Sequence, residues 1–212
     1  MSTPAAADKV FFQDAKPAAI RLWHWLLVVF LFSSVITVLF GSTLFKTKPN
    51  VAMVLEQVQQ EGGTISEKQA WVVAHEFSDK LWMLHKFIGY GLSLLFLWRI
   101  IAEITLSKEK KLFARIRTAV QYPGNSPENN HYKMVQNTYL VFYSLFLVMV
   151  LTGLILAYED IKFLKPIHEP AEEIHGFVQY GLYGFIVFHI IGVIRADMGR
   201  YGGIVSRMIN GK

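Results

Sequence analysis

The segment Ile174–Arg195, IHGFVQYGLYGFIVFHIIGVIR, is apolar enough to cross a bilayer yet carries two histidines, His175 and His189. At about 100° and 1.5 Å per residue, their separation of fourteen positions is four turns less roughly 40°. The two imidazoles therefore leave nearly the same helical face, about 21 Å apart along the axis. Two ligand-type side chains near opposite ends of one membrane helix point to two sites, one toward each surface. The rest of the chain has to supply their partners.

Four windows reach the length of about 20 residues that a bilayer requires: Leu22–Phe40, Leu81–Ile101, Tyr139–Ala157 and Ile174–Ile194. With 53% hydrophobic residues gathered into such runs, the chain of 212 residues reads as an all-α integral membrane protein, a four-transmembrane-helix bundle. Residues 1–19 are expected as a cytoplasmic N-terminal segment, 20–197 as the membrane domain and 198–212 as a cytoplasmic tail. The first run is too long for a signal-peptide core and lacks a small-residue cleavage site, so it is read as a retained helix. The absence of cysteine excludes disulfides, thiolate metal sites, iron–sulfur ligation and covalent haem attachment.

Charge sets the expected orientation. With both termini inside, about two thirds of the 21 basic residues fall on the inner side, including the Lys108–Arg117 cluster. The positive-inside rule then places both termini in the cytoplasm. The net charge of +5 reports topology; no nucleic-acid partner is expected.

In chain order, Arg21-Leu22-Trp23-His24-Trp25 has the composition of an interfacial anchor, with His24 about three residues inside the inner boundary. The outer loop Gly41–Lys80 is expected to form two short amphipathic helices on the membrane surface, one bearing Val51, Val54, Leu55 and Val58. The second would bear Ala70, Trp71, Ala74 and Phe77, behind a capping box at Thr64-Ile65-Ser66-Glu67. His85 lies about five residues inside the outer boundary at Lys80. Arg99 is fourteen positions further on and shares its face. The inner loop carries a Pro-Gly-Asn-Ser-Pro turn at 123–127. The third span, with no ionisable group except tyrosine, reads as packing. The connection to the fourth span reads as a short acidic loop containing Glu159, Asp160, Glu169, Glu172 and Glu173.

The four membrane histidines thus fall into an inner pair, His24 and His189, and an outer pair, His85 and His175. For any one histidine, ligation and a plain hydrogen bond to a neighbour stand level; four at two matched depths favour ligation. Each level offers two imidazoles and no intramembrane carboxylate close by, too few for a metal cage of three or four protein ligands. Two imidazoles from facing helices suit the opposite sides of a haem iron. Gly89, Gly176, Gly181 and Gly184 would thin the helices beside a ring, and Leu92 and Leu182 would fill the gap between cofactors. Arg99 is the first candidate for a haem propionate, with Arg21 and Lys86 secondary. His75, His131 and His168 are expected in loops, solvated or interfacial. Glu103 is expected as a solvated helix end.

Arg21-x-x-His24-Trp25, His85-x-x-x-Gly89, the His175/His189 pair and the tail 202–209 resemble the bacterial cytochrome b561 and Ni/Fe-hydrogenase b-type cytochrome family, over about residues 18–209. The resemblance implies two non-covalent b haems, one held by His85 and His175 and the other by His24 and His189. It also implies electron transfer between membrane quinone and a redox partner, a hydrogenase, another dehydrogenase or a c-type cytochrome. A homodimer is left open. Two other readings stay open from the residues: a stand-alone oxidoreductase passing electrons from a small outer reductant such as superoxide to quinone, and a histidine-based metal transporter or membrane anchor.

Overall fold

The computed structural model describes residues 17–106, 111–121, 127–199 and 202–211. Among these, regular structure is entirely helical: α1 (Ala18–Ser42), α2 (Thr47–Gln60), α3 (Glu67–Thr105), α4 (Leu112–Gln121), α5 (Pro127–Ala157), α6 (Lys165–Asp197) and α7 (Ile204–Ile209). Four of them, α1, α3, α5 and α6, are long and apolar enough to cross a membrane. Helix is the form that satisfies every backbone N–H and C=O within its own segment, as hydrocarbon demands. The chain divides into two compact units, Leu26–Ser93 and Met1–Trp25 with Leu94–Lys212.

In the unit Leu26–Ser93, the outer segment departs from two separate surface helices. Only α2 is separate. The stripe of Ala70, Trp71, Ala74 and Phe77 belongs to α3, a single helix of 39 residues. Such a helix is about 58 Å long, well beyond a hydrocarbon core of roughly 30 Å. The helix runs unbroken past Lys80, because neither glycine nor proline interrupts Glu67–Ile88. Val51 of α2 and Ala70 and Ala74 of α3 form a small buried core, joined by Val54, Leu55 and Ile65. Trp71 and Phe77 stay exposed. The capping box sits two residues later than the sequence suggests. The Ser66 backbone N–H donates to Gln69 Oε1 (2.8 Å), and the Gln69 N–H donates to Ser66 Oγ (3.3 Å), so the pair is Ser66-x-x-Gln69.

In the other unit, α5 packs along α6, α4 packs on α5, and α7 folds back on α6. Phe142, Phe146, Phe96 and Leu182 are buried among them. Pro127 occupies the first position of α5, where its missing N–H costs nothing. The remainder of the expected 123–127 turn lies outside the described residues, as do Lys108 and Lys110 of the basic cluster. The acidic loop is shorter than expected: Glu169, Glu172 and Glu173 lie on α6, whose first turn accommodates Pro166.

Glycine positions differ sharply in the space around them. A methyl group on Gly91 would overlap the Phe30 ring, whereas one on Gly192 meets no atom within 4 Å. Gly91→Ala is therefore expected to destabilise the detergent-solubilised protein by about 1–3 kcal/mol, and Gly192→Ala to leave it unchanged or slightly more stable. Thermal unfolding followed by circular dichroism checks this; equal midpoints for the two variants would contradict the packing described.

Candidate functional site

The histidine nearest the start of α1 is held from both sides. Trp23 is buried, and its indole N–H donates to the Leu95 carbonyl of α3 at 2.8 Å. Trp25 donates its indole N–H to the Met208 carbonyl of α7 at 2.9 Å. Sequence composition marked both as interfacial anchors; the structure uses them as ties within the protein, and for Trp23 the buried indole N–H has to find an acceptor.

Between the two tryptophans, His24 meets His189 of α6. Their ring centroids are 6.4 Å apart and their planes tilted by 56°. Phe185, one turn before His189, lies parallel to the imidazole at 5.9 Å and 9°. Behind it Phe142, Phe146 and Phe96 continue edge- and tilt-packed, with centroids 5.1 to 5.5 Å apart. His189 is thus backed by a packed aromatic column. Nδ1 of His24 is buried and accepts or donates no hydrogen bond within the protein. A buried polar atom of this kind is uncommon and calls for a ligand.

His85 and His175 belong to different units, and each has its own fixed surroundings. Nδ1 of His85 lies 2.8 Å from Thr37 Oγ1, and Nδ1 of His175 lies 2.8 Å from Thr152 Oγ1. Both threonines are buried. Gly153, next to Thr152, lets the His175 ring approach: a Cβ there would stand 3.2 Å from Cε1. Among the expected ring-side glycines, a Cβ on Gly89, Gly176 or Gly184 would meet no atom within 4 Å, while Gly181 packs on Leu145 at 3.3 Å. Leu92 and Leu182, the expected filling residues, are both buried.

Arg99 is engaged within the protein. Its Nε donates to Tyr143 OH (2.8 Å), and its Nη1 pairs with Glu103 Oε2 (2.9 Å). The other Glu103 oxygen accepts the Leu112 N–H at the start of α4, where a carboxylate also offsets the helix dipole. Glu103 is therefore a mostly buried partner and not the solvated helix end expected from its position, its side chain being 24% exposed against 11% for Arg99. Tyr143 takes the Nε N–H, while Nη1 faces Glu103 as an ion pair without a hydrogen bond, which leaves guanidinium N–H capacity for a further anion. Elsewhere, His75 stacks on Trp71 at 4.4 Å and approaches Asp79 at 3.4 Å. It is half-exposed and lies on α3, and His131 and His168 lie on α5 and α6, so none of the three is in the loop expected for it. Among the described residues no three His, Asp or Glu side chains gather as a metal cage.

Thr37, Thr152, Gly153, Tyr143 and Phe185 are site neighbours that sequence reasoning passed over. A signal for the threonines was present: each lies about five residues from the end of its helix, close to the depth assigned to His85 and His175.

Removing the Glu103 carboxylate would leave the Arg99 charge buried with one partner fewer. Glu103→Ala is expected to cost about 3 kcal/mol, and Tyr143→Phe about 1–1.5 kcal/mol for the lost hydrogen bond. Both are read from thermal unfolding in detergent; a near-neutral Glu103→Ala would mean that the pair is solvated.

Compared with known proteins, residues 16–211 match the family model described as prokaryotic cytochrome b561. No curated protein and no solved structure matches the chain.

Proposed function

The chain belongs to the prokaryotic cytochrome b561 family, and from that premise we propose that it holds two b haems, each between a pair of histidines. Membership and the four apolar helices make it a multi-pass membrane b-type cytochrome that binds haem b and takes part in electron transfer. The finer reading assigns His24 and His189 to one haem and His85 and His175 to the other. Electrons pass between quinone in the bilayer and a redox partner protein. The distribution of basic residues supports a bacterial inner membrane with both termini cytoplasmic.

One observation carries the ligand assignment. Metal–imidazole bonds are about 2.0–2.1 Å long, and roughly 1 Å separates each ring nitrogen from its centroid, so an ion between two imidazoles calls for centroids about 6 Å apart. The His24 and His189 centroids stand at 6.4 Å. That is too far for a direct hydrogen bond between the rings and suited to a shared iron. The buried, unpartnered Nδ1 of His24 supports the same reading.

Haem iron supplies the one-electron ferric/ferrous couple when bound. This chain's residues supply the rest. The tryptophan ties fix the start of α1, and with it His24, against α3 and α7. The Phe185 column fixes the plane of His189. Apolar walls exclude water and lower the local dielectric, which shifts the balance between the charge states of a buried centre. Arg99 is placed, through Glu103 and Tyr143, as a fixed positive charge able to meet a propionate.

Pyridine haemochrome analysis of the purified protein is expected to give two haems b per chain. His189→Ala should retain one, with the reduced-minus-oxidised spectrum reduced to a single component. A native content of one haem, or an unchanged content in His189→Ala, would rule the assignment out.

A further inference from the structure

We propose that Thr37 and Thr152 are positioning residues that lock His85 and His175 in the Nδ1–H tautomer and lower the reduction potential of the iron these imidazoles hold. This rests on the ligand assignment above and adds to it the groups that orient and tune these two ligands.

The tautomer follows from counting protons. A threonine hydroxyl has one hydrogen to give. Thr37 spends it on the Ser34 carbonyl at 2.7 Å, and Thr152 on the Val148 carbonyl at 2.7 Å. Each hydroxyl oxygen can then meet an imidazole nitrogen only as an acceptor, so Nδ1 of His85 and of His175 carries the hydrogen. In a neutral imidazole that leaves the lone pair on Nε2, the form a metal takes. Two threonines on two different helices, α1 and α5, reach the same arrangement with the same distances.

The consequence is electronic as well as geometric. An acceptor on Nδ1–H makes the imidazole a stronger donor to the metal. The hydroxyl is itself polarised by donating to a helix carbonyl, which strengthens it as an acceptor. Stronger donation favours ferric over ferrous iron and lowers the potential.

Redox titration of the holoprotein, with absorbance and EPR read on the same samples, tests this on Thr37→Val, Thr152→Val and the two Thr→Ser variants. Each Val variant is expected to shift the same one of the two haem midpoints about tenfold toward the ferrous form, about 59 mV for a one-electron couple, and to leave the other unchanged. The Ser variants, which keep the hydroxyl, should titrate like the unaltered protein. Val variants that move neither midpoint, or Ser variants that move it as far as Val, overturn the proposal. If a Val variant loses the haem, its Ser counterpart retaining it supports the proposal, and loss in both overturns it. Haem content of His175→Ala separates the two levels of inference. Retention of both haems there defeats the ligand assignment; loss of one with no Val effect defeats the threonine role alone.

Discussion

A polar group carried into hydrocarbon has no water to bond and must be answered by the protein around it. Most of what distinguishes this chain from four anonymous apolar helices is the set of such answers. Trp23 is met by a carbonyl of α3, Trp25 by one of α7, Arg99 by a phenol and a carboxylate, and two imidazoles by threonine hydroxyls. Apart from Glu103, one turn along the same helix from Arg99, each answer joins positions at least 23 residues apart. The apolar surface alone leaves helices free to rotate about their axes, since lipid is as good a neighbour as leucine. The polar contacts remove that freedom, and they are concentrated around the histidines.

The four spans were legible because hydropathy reports the solvent a segment can tolerate. The pairing of His24 with His189 was legible because helix rise converts sequence position into depth. Helix ends were less so. Hydropathy ended the second span's outer end at Lys80, yet α3 begins at Glu67, because a helix stops where backbone hydrogen bonding stops. The same confusion put Glu169, Glu172 and Glu173 in a loop. Glu103 was misjudged for a related reason. Its depth suggested water, while its partners, Arg99 one turn back and Leu112 nine residues on, are set by the turn between α3 and α4. The threonine acceptors escaped notice because a threonine in an apolar helix ordinarily bonds its own backbone. These do so as well, and only the oxygen's remaining lone pairs reveal a second task.

The third apolar span, α5, illustrates how a segment with little apparent chemistry can govern a site. It contributes Tyr143 to Arg99, Thr152 and Gly153 to His175, and Phe142 to the column behind Phe185 and His189. Its packing along α6 sets these side chains beside His175 and His189. A residue can be silent in composition and still determine which way an imidazole faces.

The tie between Trp25 and Met208 spans 183 positions of sequence, and that distance has a meaning in time. At 5–20 residues added per second, roughly 10–40 s pass between synthesis of the indole and synthesis of its acceptor. During that interval the first span is already in the lipid while the end of it beside His24 has only the Trp23–Leu95 tie to fasten to. Maturation of this end is thereby coupled to synthesis of α7: a ribosome that stalls within the fourth span leaves behind an inserted intermediate clasped by Trp23 alone.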